Sequence, residues 1–268
     1  NAQNYLLEGL EAARKLRHKI VLVFAYSNLA CHAASVGDWK SVEEYSDQAL
    51  ALDPHEMRAV TPRVLCDYNL GEFERAAHHV MKFLEIEQEN IYPFSLPALA
   101  MCARISDDRE LIESLIPLLE KTVTEQGLEP RTHMMTRAGL GLVAVHKLDP
   151  QAAEIQYTAL TQYPSVDFMI LAGISNQRLL GLLSHTIGNL EASQGHFEDA
   201  LTFCRQVGYR PELAWSLHDC ADMLLERNEP GDQQTATAML DEALQISTDL
   251  AMRPLMERAL SKRDILKA

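Results

Sequence analysis

The chain has 268 residues, of which 47% are hydrophobic and 23% are charged, a composition typical of a folded globular protein. A formal net charge of -14 without basic runs argues against direct binding to a nucleic-acid backbone, which needs clustered Lys and Arg. The sequence contains no run of about 18 apolar residues, so it predicts no membrane span. The N-terminal residues Asn1-Ala2-Gln3-Asn4 lack the basic region of a signal peptide. We therefore expect a cytoplasmic protein.

The first predicted elements are a half-unit and one complete pair of helices. Apolar residues at helical spacing predict a helix over residues 6–16, which has no partner in front of it. Another helix spans residues 25–36 and ends at a turn, Gly37-Asp38-Trp39. A second helix then covers residues 42–52 and ends at Asp53-Pro54.

The same pattern of helix, turn and second helix returns along the chain at an interval of about 34 residues. Small residues where the helices cross allow close packing of each pair. The later turns are predicted at Gly71-Glu72-Phe73, Ser106-Asp107-Asp108, Lys147-Leu148-Asp149-Pro150, Gly195-His196-Phe197 and Asn228-Glu229-Pro230-Gly231-Asp232. Together they predict about six helix pairs, a half-repeat at the front and a closing helix after Pro254. No segment has the sustained alternation of a strand.

Helix starts are predicted where proline follows a capping or first-turn position. Asp53 is expected to cap a helix that begins at Pro54, with Glu56 completing the cap, and Asp149-Pro150 and Arg210-Pro211 are expected to open helices as well. Residues 166–194 predict an overlong helix that bends or breaks at one of its glycines, Gly173, Gly181 or Gly188.

The five cysteines are predicted to be structural. Each lies in an apolar helical stretch, and no two are spaced as a Cys-x-x-Cys site, so we expect buried thiols rather than zinc ligands or disulfides. They are Cys31, Cys66, Cys102, Cys204 and Cys220. The motifs of phosphate loops, nucleophile elbows and zinc helices are absent from the sequence. We therefore expect no catalytic residues, no cofactor and no metal site.

The first unit carries a family resemblance. Tyr26, Leu29, Ala30, Gly37, Trp39, Ala49 and Pro54 stand at the offsets of the tetratricopeptide pattern. The chain thus resembles a tetratricopeptide-like protein, which implies an all-α, right-handed superhelical solenoid of helical hairpins over residues 1–268 as one domain. In a solenoid the first helix of each pair lines a concave groove.

Aligning the units by their turns places a small set of polar residues near that groove. Arg58, Arg104, His146, His185 and Asn189 are the candidate ligand-binding residues, and the two arginines and two histidines are the first choices if the ligand is anionic. The same alignment places Ser27, Cys31, Thr61, Leu65, Met101, Leu142 and Ser216 along the groove. An ordinary exposed surface position is the alternative for each arginine and histidine.

A second, more specific resemblance lies in the C-terminal part. The segments Gly208-Tyr209-Arg210-Pro211-Glu212-Leu213-Ala214-Trp215, Ala221-Asp222-Met223-Leu224-Leu225 and Met252-Arg253-Pro254-Leu255-Met256 are similar to the helical-repeat region of large bacterial signalling ATPases. Those proteins also carry a LuxR-type helix-turn-helix or a class III adenylate cyclase domain. The resemblance implies a regulatory arm, here a fragment without the ATPase, DNA-binding or cyclase motifs.

Four functions follow as hypotheses. The first is a non-catalytic regulatory sensor that binds a protein or peptide in the concave groove. The second is a small-molecule inducer domain in the same kind of regulator. The third is a standalone scaffold or adaptor. Each of these could also form a homo-oligomer. The fourth is an enzyme with an unfamiliar site, which would require a deep pocket with converging ionisable groups.

Overall fold

The computed structural model describes residues 2–89, 96–125, 127, 129–163 and 173–267. All secondary structure within those ranges is α-helical. The helices are α1 (Ala2–Leu16), α2 (Lys19–Val36), α3 (Trp39–Leu52), α4 (Met57–Leu70), α5 (Phe73–Glu89), α6 (Leu96–Ser106), α7 (Arg109–Thr124), α8 (Pro130–Lys147), α9 (Pro150–Leu160), α10 (Asn176–Ile187), α11 (Leu190–Val207), α12 (Arg210–Arg227), α13 (Asp232–Asp249) and α14 (Arg253–Lys267).

These helices form sequential antiparallel pairs consistent with a helical repeat. Each even-numbered helix from α2 to α12 packs against the helix that follows it, and those from α2 to α10 also pack against the first helix of the next pair. Helix α1 precedes the pairs and α14 follows them. Over the described residues, the all-α class, the paired organisation and the closing helix after Pro254 are therefore confirmed.

The turns within the pairs have local causes. Gly37 ends α2 with a φ of 83°, a conformation that glycine adopts without a steric penalty, and Asp38 caps α3 by accepting from the Ser41 amide at 3.2 Å. Asp108 and Asp149 cap α7 and α9 in the same way. The predicted turns near Gly37, Gly71, Asp107, Leu148 and Pro230 are confirmed.

Two local predictions are wrong. Gly195 lies inside α11, and the turn of that pair is at Gly188, which has a φ of 88° and is followed by the capping residue Asn189. Asp53 ends α3 rather than opening a helix, because Glu56 caps α4 instead by accepting from the Arg58 amide. The overlong helix predicted over residues 166–194 falls partly outside the described residues, and α10 within it ends at Ile187.

Two of the helical glycines, Gly139 and Gly195, provide a test of these positions. A Cβ on Gly139 would lie 2.6 Å from Leu119 Cδ2, whereas a Cβ on Gly195 meets no atom within 4 Å. We expect Gly139→Ala to lower the free energy of unfolding by about 1–2 kcal/mol, since overpacking outweighs the gain in helix propensity. Gly195→Ala should raise it by about 0.5–1 kcal/mol.

Urea denaturation of both variants checks this prediction. A loss of stability in Gly195→Ala would contradict a helical Gly195 and favour the left-handed turn that the sequence first predicted.

The end of the array packs back onto its beginning. Helix α12 contacts α2, and α14 contacts both α4 and α6. At this closure Trp39 Nε1 donates to the Leu250 carbonyl at 2.7 Å, and Trp215 Nε1 donates to Asn69 Oδ1 at 2.9 Å. A Cβ on Gly37 would lie 2.8 Å from Leu250 Cδ1, so this approach also needs a glycine.

Helix α2 is, in the part of the chain that the structure describes, long and apolar enough to cross a membrane by length and composition alone. A core helix passes the same test, and 44% of α2 is buried. Helices α1, α3, α4 and α12 all pack against it. Packing within the fold therefore accounts for the buried part of its apolar surface, while Ile20, Val21 and Phe24 stay exposed.

The cysteines lie in the packed interior, as the sequence predicts. All five are buried, and none of them forms a disulfide bond. Burial raises the pKa of Cys31, Cys66 and Cys220 to about 12. A thiol that does not ionise near neutral pH is a weak nucleophile, so these side chains act as small apolar groups.

Candidate functional site

A buried ionic cluster joins α10 to α12. Arg178 in the first turn of α10 is fully buried, and it donates from Nη1 to Glu212 Oε2 and from Nε to Asp219 Oδ2, each at 2.8 Å. Glu212 and Asp219 are seven residues apart on α12, so two helical turns bring both carboxylates to one face. The Arg178 guanidinium also lies 5.5 Å from the centre of the Trp215 ring.

The backbone at the start of α10 completes this cluster. Glu212 Oε1 accepts from the Ser175 amide at 2.7 Å, and Ser175 Oγ caps the helix by accepting from the Arg178 amide at 3.1 Å. Glu212 therefore binds the N-terminus of α10 as well as its arginine. The buried charges of Glu212 and Arg178 depend on these contacts, because a buried charge without partners costs several kcal/mol.

Asp219 also connects the cluster to α6. Arg104 Nη2 donates to Asp219 Oδ1 at a long 3.4 Å, and His218 Nδ1 lies 3.3 Å from the same oxygen. Burial alone would raise the pKa of Asp219, but Arg104, Arg178 and His218 outweigh that effect and hold the pKa well below its usual range. The carboxylate is therefore ionised in the folded protein.

Asp219 should make stability depend on pH in the acid range. A carboxyl with a depressed folded pKa stabilises the protein above its unfolded pKa of about 4, and this contribution is lost as the pH falls through the folded pKa. We expect Asp219→Asn to be clearly less stable than the wild type near neutral pH. That difference should shrink progressively below about pH 4.

Urea denaturation of the two proteins across this range measures the effect, and Asp241→Asn is an exposed control that should follow the wild type at each pH. A stability difference between Asp219→Asn and the wild type that stays constant with pH would contradict the depressed pKa.

An open cavity of about 270 Å³ lies beside Asp219. Its wall comes from the C-terminal ends of α6, α8 and α10, from α12 and from the closing helix α14. The lining residues are Arg104, Asp107, Val145, His146, Leu148, Leu182, His185, Thr186, Asp219, Asp222 and Arg258. Two neighbouring hollows share part of this wall: one of about 320 Å³ shares Asp107, His146 and Leu148, and one of about 640 Å³ shares Asp222 and Arg258.

Three of the five predicted ligand-binding residues meet at this cavity. Arg104, His146 and His185 come from α6, α8 and α10, which are the first helices of three successive pairs. His146 Nε2 lies 3.8 Å from Asp107, and His185 Nε2 lies 2.7 Å from Glu226 Oε2. Burial lowers the pKa of His146 below its usual range, so its imidazole is neutral near pH ~7.

The other two predicted residues lie elsewhere. Arg58 lies in the first turn of α4, whereas the cavity is lined by the C-terminal ends of α6, α8 and α10. Its side chain pairs with Glu56 at 2.7 Å and stacks 3.6 Å from the centre of the Phe24 ring. Asn189 caps α11, with its side chain accepting from the Ala192 amide at 3.1 Å. Each has a local structural role, and neither lines the cavity.

Sequence reasoning did not identify Arg258, Asp219 or Asp222 as site residues. Asp219 could have been found, because it follows Glu212 by two helical turns and so lies on the same face of α12. Arg258 carried no such indication, because it reaches the cavity only through the packing of α14 against α6. Its Nη2 donates to the Arg104 and Ile105 carbonyls, each at 2.9 Å.

The inner surface of the array is mostly occupied by the protein itself. The residues expected to line an open groove, including Ser27, Thr61, Leu65, Met101 and Ser216, are buried. The space left between α2, α4, α6 and α12 is about 50 Å³. That volume holds roughly one water molecule and leaves no room for a peptide.

Within the described ranges, no group of three or more His, Cys, Asp or Glu side chains is arranged to hold a metal ion. No protein-family model matches the chain, and no curated protein matches its sequence. The function of the chain is therefore inferred from the geometry of the cavity and the packing around it.

Proposed function

We propose that this chain is a non-catalytic regulatory domain of tetratricopeptide-like repeats that binds a small molecule in the cavity beside Asp219. The observation that carries the proposal is the convergence of Arg104, His146 and His185, from three successive helix pairs, on one open cavity. The cavity is close in size to small-molecule sites, and its wall combines apolar and ionisable groups as such sites do.

The position of the cavity supports a regulatory role. Its wall includes both the middle pairs of the array and the closing helix α14, so a bound molecule would contact elements that are far apart in sequence. A ligand that binds only this arrangement would stabilise it by mass action. In a larger signalling regulator of the kind that the sequence resembles, that stabilisation would be the regulatory output.

A screen of small molecules by thermal shift tests this proposal when it is combined with a variant that fills the cavity. Thr186→Trp places a large ring at the half-buried cavity wall, and Thr158→Trp places the same ring at an exposed position on α9. Ligands of the wild type should bind Thr158→Trp equally well and lose at least about tenfold in affinity for Thr186→Trp. The proposal fails if no ligand is found, or if every ligand binds both variants alike.

A second candidate is binding of a partner protein at the N-terminal end, favoured by an exposed apolar strip on α2. Ile20, Val21 and Phe24 share one face of that helix and are each more than a third exposed. At the edge of this strip, the Arg58 guanidinium stacks on the Phe24 ring. Light scattering on wild type and Phe24→Asp over a range of concentrations tests the simplest partner, a second copy of the chain.

A further inference from the structure

The charged groups at the cavity beside Asp219 differ in how well they are paired. Arg104 and Arg258 line it together with the carboxylates of Asp107, Asp219 and Asp222. Asp222 pairs with Lys262 at 2.6 Å, and Arg178 holds Glu212 and Asp219. The remaining carboxylate, Asp107, stands 75% exposed at the rim, where water screens its charge.

The two arginines on the wall are the poorly paired groups. Arg258 has no carboxylate partner among the described residues, and its hydrogen bonds go from Nη2 to two backbone carbonyls. Arg104 makes only the long contact to Asp219, and its Nη1 is buried without an acceptor in the described part of the chain. Arg258 thus bonds to the backbone carbonyl of Arg104, and both residues line the cavity.

The rest of the wall specifies the other end of a ligand. Val145 and Leu182 are buried apolar residues, while Thr186 and the neutral His146 provide uncharged polar groups. A ligand with one negative charge would give the two arginines an acceptor, whereas a doubly charged phosphate would be repelled more strongly by the three carboxylates on the wall. A carboxylate also matches the planar, paired donors of a guanidinium.

We infer that the cavity binds a small monocarboxylic acid, with the carboxylate between Arg104 and Arg258 and the apolar body against Val145 and Leu182. This inference rests on the proposed small-molecule function and names the chemical class of its ligand. Arg258, which belongs to the closing helix, and Arg104, which belongs to α6, would then be bridged by the same anion. Ligand binding would thereby hold the closing helix in place.

A matched pair of probes tests the charge requirement. Cyclohexanecarboxylate and the uncharged cyclohexanecarboxamide have nearly the same shape and do not absorb where tryptophan is excited. Trp215 is a suitable reporter because the Arg258 guanidinium lies 5.4 Å from its ring centre. We expect the carboxylate to bind at least about tenfold more tightly than the amide, from charge-assisted hydrogen bonds to two arginines.

Two variants on the closing helix test the residue assignment. Arg258→Gln should lower the affinity for cyclohexanecarboxylate by about tenfold or more. Arg253→Gln is the control, because Arg253 donates to the Leu70 carbonyl at the end of α4 much as Arg258 donates at the end of α6, but it does not line the cavity. Its affinity should equal that of the wild type.

Several outcomes would overturn the inference. Equal binding of acid and amide excludes an anion site, and unchanged affinity in Arg258→Gln excludes the assigned arginine. If Arg258→Gln does not fold, Arg258→Lys and Arg104→Lys keep the charge, and both should bind the acid more weakly because the forked donors are lost. If neither probe binds but uncharged molecules from the screen are blocked by Thr186→Trp, the monocarboxylate inference fails while the small-molecule function stands.

Discussion

Replacing Arg178 with alanine is expected to lower the free energy of unfolding by about 3–5 kcal/mol, since breaking a buried ion pair leaves uncompensated charge in the interior. Arg178 is fully buried and is the direct partner of both Glu212 and Asp219. Without it, Glu212 keeps only the Ser175 amide, and Asp219 keeps a long contact to Arg104 and one to His218. Urea denaturation near neutral pH measures the loss.

Two further proteins separate this effect from a general cost of removing arginine. Arg205 pairs with Glu242 at 2.7 Å on the surface, and Arg205→Ala should cost less than about 1 kcal/mol. The triple variant Arg178→Met, Glu212→Gln, Asp219→Asn removes all three charges, and it should be more stable than Arg178→Ala. If Arg178→Ala is no less stable than Arg205→Ala, the buried cluster does not contribute to stability as described.

The turns between the paired helices could be predicted because their causes are local. At Gly37, glycine takes a left-handed conformation and the next residue, Asp38, caps the following helix within three residues. Asp108 and Asp149 cap the following helix in the same way, although Asp107 and Leu148 rather than glycine take the left-handed conformation before them. Short-range chemistry of this kind is visible in the sequence without knowledge of tertiary contacts.

The error at Gly195 has an equally local origin. Gly195-His196-Phe197 matches the glycine-aromatic pattern of Gly71-Glu72-Phe73, so pattern matching favoured a turn there. Gly188 followed by Asn189 is the stronger combination, because Gly188 takes the left-handed position and Asn189 then caps α11. Phe197 instead packs close to Gly181 within the pair α10–α11.

The candidate site was predictable only in part. Arg104, His146 and His185 could be placed on one surface because they occupy related positions near the C-terminal ends of successive first helices. Arg258 and the filled inner surface could not be foreseen, because a repeat pattern describes contacts between neighbouring units. The closure of the array joins residues more than 140 positions apart, as in the pair Asn69 and Trp215, which are separated by 146.

Trp215→Ala is expected to destabilise the protein by about 3–5 kcal/mol and to loosen the closure of the array. The ring is 3% exposed and its Nε1 donates to Asn69. The guanidinium groups of Arg178 and Arg258 lie 5.5 and 5.4 Å from its centre. Removing it leaves Asn69 Oδ1 without its donor and deletes contacts between α12 and the first half of the chain. Hydrogen exchange should therefore accelerate in α2 and α4 as well as in α12.

Phe197→Ala is the matched control for this prediction, because it also removes a buried aromatic ring at a similar cost of about 3–5 kcal/mol. Phe197 packs within the pair α10–α11, so its loss should increase exchange there and leave α2 and α4 close to wild type under native conditions. A closed array thus predicts two different maps of exchange for two variants of similar stability. If the maps coincide, the contacts through Trp215 do not couple the two ends of the chain, and the array behaves as an open series of pairs.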